Sequence, residues 1–262
     1  DNMVVAVSGD ITKEAALTGI GKLLQSLPQN PAPVRQLDDP SPHQPVMALI
    51  NKPGQVQSQV ILALTGMKRT HPDFWKMRLL ADIYGGSDSL MYTRLRDDLG
   101  LVYSAGFFQT YKWNAGLLMG YIGCRSDQTR IAIKETINIM VSLRNQVPKD
   151  EFERKRLEAL NSFVFNVDTP SMLASTYSRY QMRGEPLDTL EKIQDAYINA
   201  SDADLLRLAR EYLNPDSIQI FIVGDKSTRV KTETADEVRT LEEDLSLLAQ
   251  ELKLPFRKIS LR

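Results

Sequence analysis

The sequence has a single cysteine, Cys124, which excludes both an internal disulfide and a zinc site built from several cysteines. Its only two histidines, His43 and His71, lie in separate segments beside prolines. Because they do not share a helical turn, neither a His-x-x-x-His nor a His-x-x-Glu-His pair exists, and both are interpreted as surface loop residues. Apolar runs are short too, since none reaches the roughly 18 residues of a membrane-spanning helix.

An excess of charge of one sign is also lacking, because 32 basic and 33 acidic side chains give a net charge of −1. This balance argues against nucleic acid as the main partner, since phosphate binding needs a basic surface. The 262 residues are 42% hydrophobic and 25% charged, as in ordinary globular proteins. That length fits one large domain or two small ones.

The first 45 residues differ in composition from the rest. An apolar stretch at 3–7 predicts a buried strand, and Thr12 is a candidate N-cap for a helix over 13–27. Six prolines within 28–45 then predict an extended linker that cannot pack a core. Because the strand follows Asp1 and Asn2 directly, without an initiator methionine or a signal sequence, we expect the chain to begin inside a longer polypeptide.

Residues 46–225 read as one α+β domain. Hydrophobic periodicity predicts strands at 57–64, 101–111, 116–123 and 218–223, with a hairpin between the second and third. It predicts helices at 74–84, 88–99 capped by Ser87, from 126 onward, and at 149–165, 171–183, 188–199 and 202–213. Hairpin-linked strands with grouped helices predict a layered sandwich in which helices pack on a largely antiparallel sheet.

Residues 226–262 are predicted to form a helical C-terminal tail. Val238, Leu241, Leu245, Leu248 and Leu252 recur at steps of three and four, which is the spacing of one apolar helix face. Because a coiled coil needs a longer run of heptads, the favoured interpretation is a helix that docks on its own domain.

The two ends of the chain resemble each other. An apolar strand closed by Gly-Asp occurs at Asp10 and again at Asp225, 215 positions later. The economical interpretation is a duplicated unit of about that length, too long for a solenoid repeat. Residues 1–27 would then be the terminal strand and helix of a preceding homologous half.

The densest group of polar residues surrounds Arg96 and Tyr103. Gly85-Gly86 upstream is better explained by helix termination than by a phosphate site. A helix-turn-strand geometry can bring Arg96 and Tyr103 to one edge, where a guanidinium and a phenol offer donors to a substrate carbonyl. The alternative is an ion pair of Arg96 with Asp97 or Asp98, beside a half-buried strand tyrosine.

The segment Ser-Leu-Met-Tyr-Thr-Arg-Leu-Arg-Asp-Asp-Leu-Gly-Leu-Val-Tyr-Ser, residues 89–104, resembles the Leu-Arg-Glu-x-x-Gly-Leu-x-Tyr-Ser signature of the pitrilysin metallopeptidases. This superfamily includes insulin-degrading enzyme and the mitochondrial processing peptidase. The resemblance extends from about residue 2 to 225, through the Pro-rich junction and the charged helix after Pro148, and leaves the tail outside. It implies two homologous halves that close like a clam-shell around a peptide.

In that family the N-terminal half carries zinc on a His-x-x-Glu-His motif, and the other half contributes an Arg and a Tyr seven residues apart. The resemblance therefore implies that this chain is the zinc-free C-terminal half, inactive alone, with Arg96 and Tyr103 as substrate and oxyanion donors. No metal or cofactor is expected in this chain, and zinc is expected in a partner half or subunit.

Two functions remain open on this resemblance. The chain either orients a peptide for a zinc site elsewhere, or it is a catalytically dead structural or peptide-binding subunit, as the core proteins of the cytochrome bc1 complex are. The expected partners are the zinc-bearing half and a peptide, with a homo- or hetero-oligomer open. Analogy with the family points to the bacterial periplasm or cytoplasm.

Overall fold

The computed structural model describes residues 3–27, 44–112, 115–231 and 238–260. The chain forms two units by its internal contacts. The larger unit combines Asp39–Lys155 with Ala200–Arg262, and the smaller one combines Asp1–Asp38 with Arg156–Asn199. His43 and most of the predicted 28–45 linker lie outside the described residues, so the domain boundaries stay a prediction.

The larger unit is built on a six-stranded sheet in the order β3-β4-β2-β5-β1-β8. The strands are β1 (Val46–Asn51), β2 (Gln57–Gly66), β3 (Val102–Tyr111), β4 (Gly116–Arg125), β5 (Gln219–Gly224), β6 (Arg229–Lys231), β7 (Val238–Thr240) and β8 (Phe256–Ser260). β6 and β7 form a separate antiparallel ribbon. In the main sheet β5 and β8 both run parallel to β1, and the other neighbouring pairs are antiparallel. The predicted α+β fold with a largely antiparallel sheet is confirmed.

Helices of the larger unit pack against one face of this sheet. The helices of both units are α1 (Lys13–Gln25), α2 (Phe74–Gly85), α3 (Leu90–Tyr92), α4 (Thr129–Asn145), α5 (Lys149–Ser162), α6 (Pro170–Met182), α7 (Thr189–Ile198), α8 (Asp202–Tyr212) and α9 (Leu241–Glu251). Along β2 the side chains alternate, with Val60, Leu62 and Leu64 buried while Ile61 points to the opposite, exposed face. Phe108 and Tyr121 are exposed on that same face, since their strand positions pair in register with the Ile61 side of β2.

The N-terminal strand prediction is not met. Residues 3–7 are assigned to no strand, and Met3, Val5 and Val7 are 44–59% exposed. A strand needs hydrogen-bonded neighbours, and no described strand pairs with this segment. α1 begins as expected, with the Thr12 hydroxyl oxygen accepting from the Ala15 N–H at 3.2 Å, but none of its residues is buried.

The C-terminal tail is only partly helical. Leu241, Leu245 and Leu248 on α9 are fully buried against the sheet-bearing unit, so the docking interpretation of the leucine stripe is confirmed. For the strands of the described tail the helical prediction is wrong, because these residues form the β6–β7 ribbon and the edge strand β8. β8 is too short for its own periodicity to show, and its partner β1 lies about 200 residues earlier in the chain.

None of the helices within the described ranges has the length and apolar character needed to cross a bilayer.

Candidate functional site

The site begins at the turn between α2 and α3. Gly85 ends α2 and Gly86 is its C-cap, as predicted, and a side chain at Gly85 would collide with the backbone of Phe107 on β3. The predicted cap of the next helix is wrong by two residues. Asp88 has a left-handed φ of 48°, so the helix starts only after it, with Ser89 rather than Ser87 accepting from the Tyr92 N–H at 3.2 Å.

Arg96 lies on a π-helical segment, Thr93–Asp98, that continues α3. This segment places successive side chains in different environments: Leu95 is fully buried, whereas Arg94 and Arg96 are exposed. Arg94 turns toward α4, where its Nε lies 2.9 Å from a Glu135 carboxylate oxygen. Gly100, with a φ of 60°, ends the segment, because this left-handed backbone favours glycine.

Tyr103 lies at an irregularity in β3. Val102 pairs with Cys124 and Ser104 pairs with Gly123, so Tyr103 is an extra residue without an opposite partner. Such a β-bulge bends the strand and redirects the side chain. Tyr103 is 53% exposed, so solvent reaches it, and this degree of exposure also fits the half-buried strand tyrosine of the alternative interpretation.

The structure brings Arg96 and Tyr103 together. Nη1 of Arg96 donates to the backbone carbonyl of Tyr103, and the guanidinium carbon lies 5.5 Å from the centre of the Tyr92 ring. In the described ranges no carboxylate lies within ion-pair distance of Arg96, and Arg94 is the arginine that lies 3.7 Å from Asp98. The ion pair of Arg96 with Asp97 or Asp98 is therefore not formed there.

This arrangement presents two donors at one edge of the sheet. The backbone contact and the ring of Tyr92 orient the guanidinium plane of Arg96, while the phenol of Tyr103 has no hydrogen-bond partner among the described residues. A guanidinium and a phenol can each donate to a carbonyl oxygen, and the guanidinium of Arg96 here contacts the Tyr103 backbone carbonyl. The catalytic use of the pair remains a prediction.

The turn that precedes Arg96 is held by residues that the sequence analysis did not single out. Lys155 on α5 donates to the carbonyl of Ser87, and Arg154 Nη2 lies 2.6 Å from the carbonyl of Asp88. Both side chains belong to the helix that the sequence predicted at 149–165 and described simply as charged. Spacing alone could not show that two of its cations turn inward to backbone carbonyls.

Two further reactive residue types are accounted for by local structure. His71 Nδ1 accepts from the Asp73 N–H at 3.1 Å, which is a loop contact. Cys124 is buried, and desolvation raises the pKa of its thiol to about 11. Across the described ranges, no three His, Cys, Asp or Glu side chains are grouped so that they could hold a metal ion.

Comparison with known proteins agrees with the resemblance found in the sequence. A family model described as the peptidase M16 inactive domain matches residues 1–158. A Rickettsia bellii protein named an uncharacterized zinc protease is 22% identical over 229 residues, covering 85% of this chain and 53% of that protein. The uncharacterized zinc protease YmxG of Bacillus subtilis is also 22% identical, with 82% and 52% covered. The chain thus spans about half the length of these relatives.

Solved structures show the same fold. A peptidase M16 inactive domain from Pseudomonas fluorescens superposes with a TM-score of 0.76 at 20% identity, covering 83% of this chain and 52% of that one. A protease from Helicobacter pylori gives 0.73 at 18% identity, with 83% and 53% covered. Since the family model matches more than half of the chain, the protein belongs to the peptidase M16 inactive-domain family, the non-catalytic half of pitrilysin-like proteases.

Proposed function

We propose that this chain encloses and orients a peptide substrate for a zinc site on another half or subunit, with Arg96 and Tyr103 as donors to the scissile carbonyl oxygen. The observation that carries the proposal is the direct contact of Arg96 with the Tyr103 backbone, at a bulge that leaves the Tyr103 phenol exposed. An inactive domain of this family does not carry the catalytic zinc, so hydrolysis requires a second half.

The chemistry assigned to the two residues is electrostatic. Negative charge develops on the carbonyl oxygen as a peptide bond is attacked, and donors already aimed at that oxygen stabilise the transition state. The guanidinium is always charged and the phenol is polarisable, so the pair suits an oxyanion without any proton transfer by this chain. The zinc expected in the partner half supplies Lewis-acid polarisation when bound.

The sheet offers a surface for the peptide itself. Ile61, Phe108 and Tyr121 lie exposed on the sheet face opposite the buried Val60, Leu62 and Leu64, and apolar exposed surface of this kind is typical of a binding wall. β3 is one edge of the sheet, so an extended peptide can add to it through backbone hydrogen bonds. Tyr103 lies at the start of that edge.

The partner half is proposed to precede this chain in the same polypeptide or to be a separate subunit. Residues 3–7 and α1 would then be the last strand and helix of that half, which accounts for their exposed apolar side chains. A His-x-x-Glu-His motif upstream in the same gene product would show that both halves belong to one polypeptide rather than to two subunits.

The test is kinetic and uses the assembled peptidase. Tyr103→Phe removes one donor, and we expect kcat for an unstructured fluorogenic peptide to fall about 100-fold, which is typical for loss of one oxyanion donor. Arg96→Gln should lower kcat at least as much, because it removes the charge and the contact with the Tyr103 carbonyl together.

Matched controls remove the same groups elsewhere. Tyr177→Phe on α6 deletes a phenol oxygen, and Arg78→Gln on α2 deletes a guanidinium that lies 3.5 Å from Asp82 at the surface. Both controls should keep wild-type kcat. If Tyr103→Phe and Arg96→Gln also keep wild-type turnover, the chain is a structural or peptide-holding subunit and the catalytic proposal is wrong.

A further inference from the structure

Lys155 is buried in a way that lysine seldom is. Only 3% of the residue is exposed, although a lysine in the middle of a charged helix would ordinarily extend into water. Its ammonium donates to the carbonyl of Ser87, in the turn that links α2 to α3. A cation removed from water is expensive, so its location implies that the turn needs a donor at that point.

The preceding residue of α5 reaches the same turn. Arg154 Nη2 lies 2.6 Å from the carbonyl of Asp88, and the same nitrogen lies 2.5 Å from a Glu151 carboxylate oxygen one turn earlier on the helix. The consecutive residues Arg154 and Lys155 thus bind the backbone carbonyls of the consecutive residues Asp88 and Ser87. Because Asp88 has the left-handed φ of 48°, which costs free energy in any residue other than glycine, the turn needs such external support.

The held turn sets the position of Arg96. Ser89 caps α3 directly after Asp88, and the helix then runs through the π-helical segment to Arg96 without a break. Leu90 to Arg96 spans about 9 Å of helix rise, so a small tilt at the turn becomes a displacement of the guanidinium. The second lateral support is the Arg94–Glu135 contact to α4.

We propose that Lys155 and Arg154 are positioning residues that fix the turn at Ser87–Asp88 and thereby hold Arg96 against the Tyr103 carbonyl. This rests on the proposed function of Arg96 and Tyr103. Neither α5 residue contacts the substrate in this account. They act through the orientation of the helix that carries Arg96, and misplacement by about an ångström can cost up to 100-fold in rate.

The first variant is Lys155→Met, which keeps the length of the side chain and deletes only the donor. In the assembled peptidase we expect kcat to fall about 10-fold or more while KM changes less than about twofold, since the lost contact serves the transition state. Amide hydrogen exchange in residues 87–98 should accelerate at least about 10-fold, with the rest of the sheet unchanged.

Non-additivity separates positioning from general destabilisation. If Lys155 acts through the donor pair, adding Lys155→Met to Arg96→Gln should lower kcat by less than about twofold beyond the single variant. Arg156→Gln is the matched control on the same helix, because it deletes a guanidinium that donates to the Ile198 carbonyl at 3.2 Å. It should leave kcat and the exchange of residues 87–98 unchanged.

Arg154→Gln keeps the test decisive if Lys155→Met does not fold, because Arg154 is 42% exposed and its loss leaves no buried gap. It should change kcat and the amide exchange of residues 87–98 in the same direction as Lys155→Met.

If Arg96→Gln lowers kcat but neither α5 variant changes kcat or exchange, the positioning role is wrong and the proposed function stands. If the α5 variants accelerate exchange while Arg96→Gln and Tyr103→Phe leave kcat unchanged, the proposed function fails, and Lys155 is purely structural.

Discussion

At the scale of single residues, Arg96 and Tyr103 both lie where the local backbone is irregular. Arg96 lies on a π-helical segment and Tyr103 at a β-bulge, and both features are frequent at functional sites because they redirect side chains. Arg94, two residues from Arg96, instead contacts Glu135 and lies near Asp98. The same residue type therefore forms ion pairs at one position and is the proposed donor at the other.

Cys124 provides a prediction at this scale. Burial raises the pKa of its thiol to about 11, so near pH 8 only about one molecule in a thousand carries the reactive thiolate. Alkylation of the folded protein should be at least about 100-fold slower than in guanidinium chloride, as measured by mass spectrometry. Rapid labelling of the folded chain would mean that β4 opens readily and would contradict the packing described for it.

At the scale of secondary-structure elements, α8 depends on an acidic capping residue. The Ser201 hydroxyl oxygen accepts from the Asp204 N–H, and the Asp204 carboxylate accepts from the Ser201 N–H and lies 2.9 Å from Lys76 Nζ on α2. Partial burial acts to raise the pKa of Asp204, but the hydrogen bonds from Lys76 and Ser201 outweigh it and lower the pKa below its ordinary value.

A lowered carboxyl pKa gives stability that is present above the unfolded-state pKa and is lost as pH falls through the folded-state pKa. We expect Asp204→Asn to lower the free energy of unfolding by about 1 kcal/mol near neutral pH. The difference from wild type should vanish once the pH falls below the lowered pKa. Urea unfolding at a series of pH values measures this, and a difference that persists in acid would show that the charge is not what stabilises α8.

The repeat at the two ends of the chain gives a second prediction at this scale. Placing Asp10 over Asp225 puts Met3, Val5 and Val7 over Ile218, Ile220 and Ile222, which are fully buried beneath the helices. If residues 3–7 complete the sheet of a preceding half, these three side chains should face its helices.

Val5→Asp should therefore weaken association with the zinc-bearing half more than Val4→Asp, whose counterpart Gln219 is only half-buried. Sedimentation of the mixed halves measures the association. Equal effects of the two substitutions would contradict the register inferred from the repeat.

At the scale of the whole molecule, the sequence predicted what local periodicity can encode. Residue spacing predicts the helices from α2 to α8, the β3–β4 hairpin and the docking face of α9. A sequence motif singles out Arg96 and Tyr103 as candidate site residues.

The pairing of distant strands cannot be predicted from local spacing. The pairing of β8 with β1, the bulge at Tyr103 and the inward turn of Lys155 each depend on residues far away in sequence. Residues 3–7 did not form the predicted strand, since none of the described strands pairs with them.

The measurement that tests the central claim most directly is reconstitution. The chain is mixed with the His-x-x-Glu-His-bearing half, and zinc-dependent cleavage of an unstructured peptide is followed for each half alone and for the mixture. We expect the mixture alone to cleave the peptide, and chelation of zinc to abolish that cleavage. Full activity of the zinc-bearing half without this chain would contradict its role in orienting the substrate.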